Sequence, residues 1–323
     1  MSNADWDVFN GDADGICSLV QLRLAEPRDA RLVTGVKRDI DLLRRVDAQV
    51  GDRVTVLDIS LDKNRSYLQD ILHIGAQVFY VDHHYVGQMP SSASLVSLIN
   101  ETPDVCTSLL VNQYLRGAHA RWAVVGAYGD NLKASAEKLA KKLNLSSDEL
   151  PLLESLGTLI NYNAYGANLQ DLHFDPKELF KQLVIYSDPL DFIADKHEIY
   201  QRLEAGYQGD LKAAENAQAL VVTSEIAAYL LPDEPWARRV SGVYGNQLAN
   251  TNPDRAHAVL TTQSNGGFSV SVRAPLNNKR GAATLCRRFA TGGGREAAAG
   301  IDDLPDAQLP AFLETFGQIY KQL

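Results

Sequence analysis

Apolar and polar positions follow two regimes along this chain. Over roughly its first half, short β-branched or aromatic runs alternate with segments whose apolar residues recur every three or four positions. The runs at 7–10, 31–36, 53–59, 77–81 and 95–99 predict strands, and those at 15–24, 40–46, 62–73 and 108–115 predict helices. In the 62–73 segment Tyr67, Leu68, Ile71 and Leu72 share one face. Strands alternating with helices imply a mostly parallel sheet covered on both faces.

From 134 to about 220 the pattern becomes mainly helical. Residues 136–143 are amphipathic, and Ser147-Asp-Glu-Leu and Asp175-Pro-Lys-Glu read as helix starts, the second with proline in its first turn. An Ala-rich polar helix at 205–220 serves as the connection, after which strands are predicted at 237–243, 256–262 and 268–273, the last two joined by the Ser264-Asn-Gly-Gly turn. The fold class is therefore α/β, with a large domain over 1–200, a helical linker over 201–230 and a smaller α/β domain over 231–323.

Composition changes this picture little. The chain has 323 residues, 45% hydrophobic and 22% charged, which suits two self-sufficient cores. Cys17, Cys106 and Cys286 are too far apart for a CxxC pair. No secretion signal or apolar span stands out, so a cytoplasmic location is expected, with no membrane partner. The net charge is -9, unevenly spread: residues 229–323 carry ten Lys or Arg against eight Asp or Glu. A wide basic footprint for long duplex DNA is missing.

Candidate chemistry collects where apolar segments end. Residues 78–81 run into Asp82-His83-His84, residues 6–9 into Asn10-Gly11-Asp12-Ala13-Asp14-Gly15, residues 54–57 into Asp58, and residues 124–129 into Asp130. Ligands of parallel sheets gather beyond the carboxyl ends of the strands. Each piece has an ordinary reading: Asp12 and Asp14 suit a helix N-cap and turn, Asp58 and Asp130 suit strand-end caps, and paired histidines can flank a turn. Taken together they offer hard oxygen ligands and imidazole, a mixture suited to Mn²⁺ or Mg²⁺. Acids clustered without a cation would repel one another and take up protons. Tyr85 is either a base-stacking platform or a core aromatic, and His73, His119, His173, His197 and His257 fit no ligand spacing.

Those four segments, in that order and with Cys106-Thr107-Ser108 opening the helix after the third, resemble the motifs of the DHH-superfamily phosphoesterases, among them the RecJ-type exonucleases and the nanoRNA or pAp phosphatases. The resemblance implies two divalent ions, one on Asp12 and Asp58, the other on Asp14, Asp58, Asp130 and His83. Such ions sit about 3.5–4 Å apart and activate water between them. His84 is then the donor or acid facing the phosphate, and Asp82 orients a histidine. The resemblance thus assigns catalysis to Asp58, His83 and His84. Relatives have His or Asp where this chain has Asn10, whose neutral oxygen makes it a weak ligand.

The second domain resembles the DHH-associated C-terminal domain. Ser269-Val-Ser-Val-Arg273, a helix and Thr291-Gly292-Gly293-Gly294-Arg295 are similar to its substrate-holding glycine loop and arginine, which makes Arg273, Gly292, Gly293, Gly294 and Arg295 the expected substrate contacts. A glycine loop opening a helix would present N–H groups to an anion. Residues 273–295 hold six basic residues and no acidic one. Arg295 stands where the family has histidine, a forked donor suited to a terminal phosphate but unable to transfer a proton. The expectation is a Mn²⁺- or Mg²⁺-dependent phosphohydrolase of short oligonucleotides, linear dinucleotides or small nucleotides such as pAp, with its active site in the cleft between the domains and a homodimer allowed. The rivals are a single-strand exonuclease, a pyrophosphatase of the same superfamily, and a weakened nucleotide sensor.

Overall fold

Val8, Val54, Val56, Val78 and Tyr80 are buried, and strand register sets them side by side: Trp6 pairs with Val54, Val8 with Val56, Val54 with Val78 and Val56 with Tyr80. These positions form one face of a five-stranded, all-parallel sheet of β1 (Asp5–Phe9), β2 (Ala30–Val33), β3 (Arg53–Leu57), β4 (Gln77–Asp82) and β5 (Leu95–Ile99), in the order β2-β1-β3-β4-β5. The order reverses between β1 and β3, and such a switch point is where open α/β sheets bind ligands.

The computed structural model describes residues 3–322 and divides into two units, Met1–Ala205 and Gly206–Leu323. In the first, α1 (Ala13–Ala25) and α2 (Leu61–Ile74) lie on opposite faces of the sheet. Leu61, Leu68 and Ile71 of α2 join the valine face together with Leu42 and Leu43 of a 3₁₀ turn (Leu42–Arg45). On the other face Asp7 and Thr55 accept hydrogen bonds from buried Arg23 of α1. Removing one partner of such a buried pair typically costs about 3–5 kcal/mol.

Helices α3 (Thr107–Tyr114), α4 (Ala120–Gly129), α5 (Lys133–Lys142), α6 (Glu149–Asn163), α7 (Pro176–Leu183) and α8 (Pro189–Asp195) complete this unit, with α3, α4, α6 and α7 packed on α1. The boundary falls within α9 (His197–Ala214). The second unit is a six-stranded mixed sheet of β6 (Gln218–Val222), β7 (Ile226–Leu231), β8 (Ala256–Thr262), β9 (Gly267–Arg273), β10 (Gly292–Gly294) and β11 (Ala298–Pro305). Its order is β10-β11-β9-β8-β7-β6, with α10 (Pro235–Thr251), α11 (Ala282–Cys286) and α12 (Leu309–Gln322) against it.

Four expectations are corrected. Residues 237–243 are not a strand but part of α10, because Ala237, Val240 and Tyr244 bury at helical spacing behind a first-turn proline. Residues 201–230 are not a helical linker: α9 gives way to β6 and β7, which belong to the second sheet. The segment ending in Asp130 is the helix α4, whose apolar run is buried all round, and periodicity cannot separate such a run from a buried strand. The glycine run does not open a helix; it is β10, paired antiparallel with β11. The cradle of helix N-terminal N–H groups expected there is therefore not built.

Candidate metal and phosphoester site

The carboxyl ends of β1, β3 and β4 each deliver acid or imidazole to the switch point. After β1 the chain tightens at once: a Cβ on Gly15 would lie 2.2 Å from the Asn10 carbonyl oxygen, so only glycine allows the turn into α1. Asp12 is the N-cap of α1, its Oδ1 accepting from the backbone N–H of Asp14 and Gly15, both at 3.1 Å. Asp12 thus caps the helix as its position after the strand predicts. Asp14 enters the first turn, and its carboxylate accepts the Thr107 and Ser108 N–H groups at the start of α3, at 2.7 and 2.8 Å.

Asp58 follows β3 with φ 58°, in the left-handed region that Asp tolerates better than most side chains. Strain of this kind, on the order of 1–3 kcal/mol, gathers at functional sites. Tyr80, fully buried, ties down the next residue by donating its hydroxyl to the Ile59 carbonyl at 2.7 Å. Asp130 comes from the C-terminal end of α4, which approaches α1 so closely that a Cβ on Gly129 would lie 2.3 Å from the Ala13 Cβ. A helix C-terminus repels an anion, so capping does not explain Asp130.

These elements converge on His83. Its Nε2 lies 3.4 Å from Asp58 Oδ1, 3.7 Å from Asp130 Oδ2 and 4.0 Å from Asp14 Oδ2. His84 Nδ1 lies 4.0 Å from the same Asp58 oxygen and 2.7 Å from Oδ1 of fully buried Asp82. Burial opposes protonation of His84, but the Asp82 hydrogen bond and charge outweigh it and raise its pKa. Asp58 is pushed well above the usual carboxylate range by burial and then by the charges of Asp12, Asp14, Asp82 and Asp130. Burial, then Asp14 and Asp12, push Asp130 up to about 7. Burial and the charge of Asp14 also push up the Cys106 thiol, whose sulfur and the Asp14 and Asp130 oxygens all lie within 4.8 Å of one another.

Asp12 has a different surrounding. Its Oδ2 accepts from the Lys37 ammonium, which also donates to Asn161 Oδ1 at 3.0 Å. Burial raises Asp12, yet this ammonium holds it below the usual range. Asn10 has its Oδ1 turned to the Asp12 N–H at 3.2 Å. Lys37 and Asn161 were invisible to sequence reasoning, since a lone lysine four residues past a strand and an asparagine inside a helix carry no motif.

No protein-family model matches the chain, and no curated protein matches it in sequence. Solved structures do. RecJ from Thermus thermophilus in complex with Mn²⁺ superposes with TM-score 0.66 at 19% identity, over 99% of this chain and 52% of that one. The DHH domain of a protein assigned to a family of ribosomal proteins gives 0.65 at 14%, over 98% and 86%. PggH, a pGpG-specific phosphodiesterase from Vibrio cholerae, gives 0.56 at 13%, over 98% and 99%. The chain has the DHH fold. It spans about half the length of the Thermus RecJ chain.

Within this DHH fold the donors divide into two sets. Asp14, Asp58, Asp130 and His83 fit a divalent cation: three carboxylates lie within 4.0 Å of one imidazole nitrogen, a hard-oxygen set with one nitrogen donor. Asn10 and Asp12 do not fit a second. A dication about 4 Å from the Lys37 ammonium would meet roughly 8 kcal/mol of repulsion at an effective dielectric constant of about 20.

In the second unit Arg273 is spent on structure, donating to Asn246 Oδ1 at 2.6 Å, Ser271 Oγ at 3.0 Å and the Gly242 and Val272 carbonyls at 3.1 Å, which ties β9 to α10. Gly292, Gly293 and Gly294 form β10, and Arg295 is exposed in the tight turn to β11. Tyr85 is exposed, which removes its reading as a core aromatic. Among the described residues no helix is long and apolar enough to cross a membrane.

Proposed function

We propose that the first unit is a divalent-metal-dependent phosphoesterase of small nucleic-acid fragments, Mn²⁺ or Mg²⁺ being the cation. The observation that carries this is the meeting of Asp14, Asp58, Asp130 and His83 within 4.0 Å of the imidazole Nε2. A bound divalent cation supplies Lewis-acid polarisation of a phosphoryl oxygen and an acidified water. The chain's own residues do the rest. Asp58 and Asp14 are locked by the Asp58 backbone turn and the α3 N–H groups, so they do not reorganise during reaction. With Nδ1 fixed by Asp82, His84 keeps Nε2 for substrate, and its raised pKa suits it to give a proton to the leaving oxygen. The exposed Arg295 guanidinium is a forked donor for a terminal phosphate.

Among substrates, a linear dinucleotide is favoured. PggH, which acts on pGpG, matches over 98% of this chain and 99% of its own, and the net charge of -9 opposes tracking along a long strand. The test is mononucleotide release from linear diribonucleotides and from a five-residue RNA, each with Mn²⁺ and with EDTA. Faster metal-dependent release from the dinucleotide is expected. Nucleotide binding in EDTA without turnover in Mn²⁺ would replace the enzyme by a sensor.

A further inference from the structure

Lone pairs at the site are unequally committed. Asp12 Oδ1 already takes two backbone N–H groups, its Oδ2 takes the Lys37 ammonium, and the Asn10 oxygen takes the Asp12 N–H. A carboxylate oxygen has two acceptor positions, so Oδ1 is full and Oδ2 is already neutralised. Each Asp14 oxygen takes one N–H and keeps an acceptor position beside His83.

Lys37 is not a surface lysine that happens to lean inward. Its backbone N–H donates to the Ala164 carbonyl at 3.0 Å, and its ammonium donates to Asn161, whose Nδ2 donates to the Tyr165 hydroxyl at 2.9 Å. Both ends of the residue are thus pinned to the C-terminal end of α6. Asn10 complements it: its neutral amide accepts the Asp12 N–H and adds no negative charge beside Asp12.

We propose that the Lys37 ammonium takes the place of one divalent cation, so that the centre holds a single metal ion, on Asp14, Asp58, Asp130 and His83. The side chain then supplies a fixed positive charge on the Asp12 side that chelators cannot remove. This deepens the phosphoesterase reading and rests on it, but the count of ions is measured without turnover.

The metal-stripped full chain is titrated with Mn²⁺ by calorimetry, with bound metal counted after dialysis and its EPR spectrum recorded. The expected result is one Mn²⁺ per chain with the six-line spectrum of an isolated ion, and two Mn²⁺ with a spin-coupled spectrum in Asn10→Asp/Lys37→Gln. Two coupled ions in the unaltered chain overturn the inference while leaving the phosphoesterase reading intact. A folded double variant that still binds one ion also overturns it, because Lys37 and Asn10 are then not what excludes the second. No Mn²⁺ binding at all removes both readings. The count in the unaltered chain decides even if the double variant does not fold.

Discussion

The two sides of one acid cluster, a few ångströms apart, have opposite electrostatic character. On the Asp12 side a lysine resides against the carboxylate and holds it ionised. On the His83 side three carboxylates face one imidazole, and two of them, Asp58 and Asp130, are pushed upward by burial and mutual repulsion. The fold supplies a cation to one side and leaves the other to recruit one. A similar set of acids therefore does not imply a similar number of metals.

The sharpest way to break this contrast is Asp58→Ala. Asp58 lies 3.4 Å from His83 and receives the Thr107 hydroxyl at 3.3 Å, and its loss is expected to abolish turnover and Mn²⁺ binding, read by single-turnover assay and calorimetry. Next, His83→Ala should weaken Mn²⁺ binding by at least ~100-fold, given that residues merely supporting ligands cost about 10–100-fold, whereas Asp12→Asn, which keeps the helix cap, should leave one ion bound. Equal losses in the two variants would erase the distinction between the sides.

A smaller effect is expected of Asp82→Asn. It should lower kcat by about 10–100-fold and move the basic limb of the kcat profile to lower pH, because Asp82 keeps His84 protonated. A pH–rate profile checks it. Stability in EDTA is expected to depend on pH in the direction set by Asp130. Its folded pKa of about 7 lies above the ordinary value of 3.8, so the folded state binds the extra proton. Stability is present below the ordinary value and lost as pH rises through 7. Melting in EDTA should thus occur at lower temperature at pH 8 than at pH 5, and Mn²⁺ at about 100 times its Kd should restore about 2.7 kcal/mol at pH 8. The smallest effect is that of Arg295→Ala, a rise in KM with kcat unchanged, since the residue is exposed and lies in the second unit.

Much of the first unit was legible because each strand ends where its chemistry begins. The runs before Asn10, Asp58 and Asp82 form β1, β3 and β4, and parallel pairing places their ends together. Asp130 was legible as an acid at the end of an apolar run but not as the end of a helix, because an element buried all round shows neither period. The second unit was read less well. Its glycine run reads as a loop before a helix, yet Gly292 to Gly294 register against Ala299 to Ile301 of the strand that follows, a hairpin whose first strand has no side chains to show a period of two. Arg273 looked free for substrate until its neighbours from α10 were in place.

The amino-acid sequence alone determined the parallel α/β sheet and the acid and imidazole groups at its carboxyl edge, because strand periodicity and strand ends are local properties. Only the tertiary structure decided the charge of the site. Lys37 reaches Asp12 across 25 positions and Asn161 across 124, and no local pattern encodes a contact between segments that meet only when the sheet and α6 have packed.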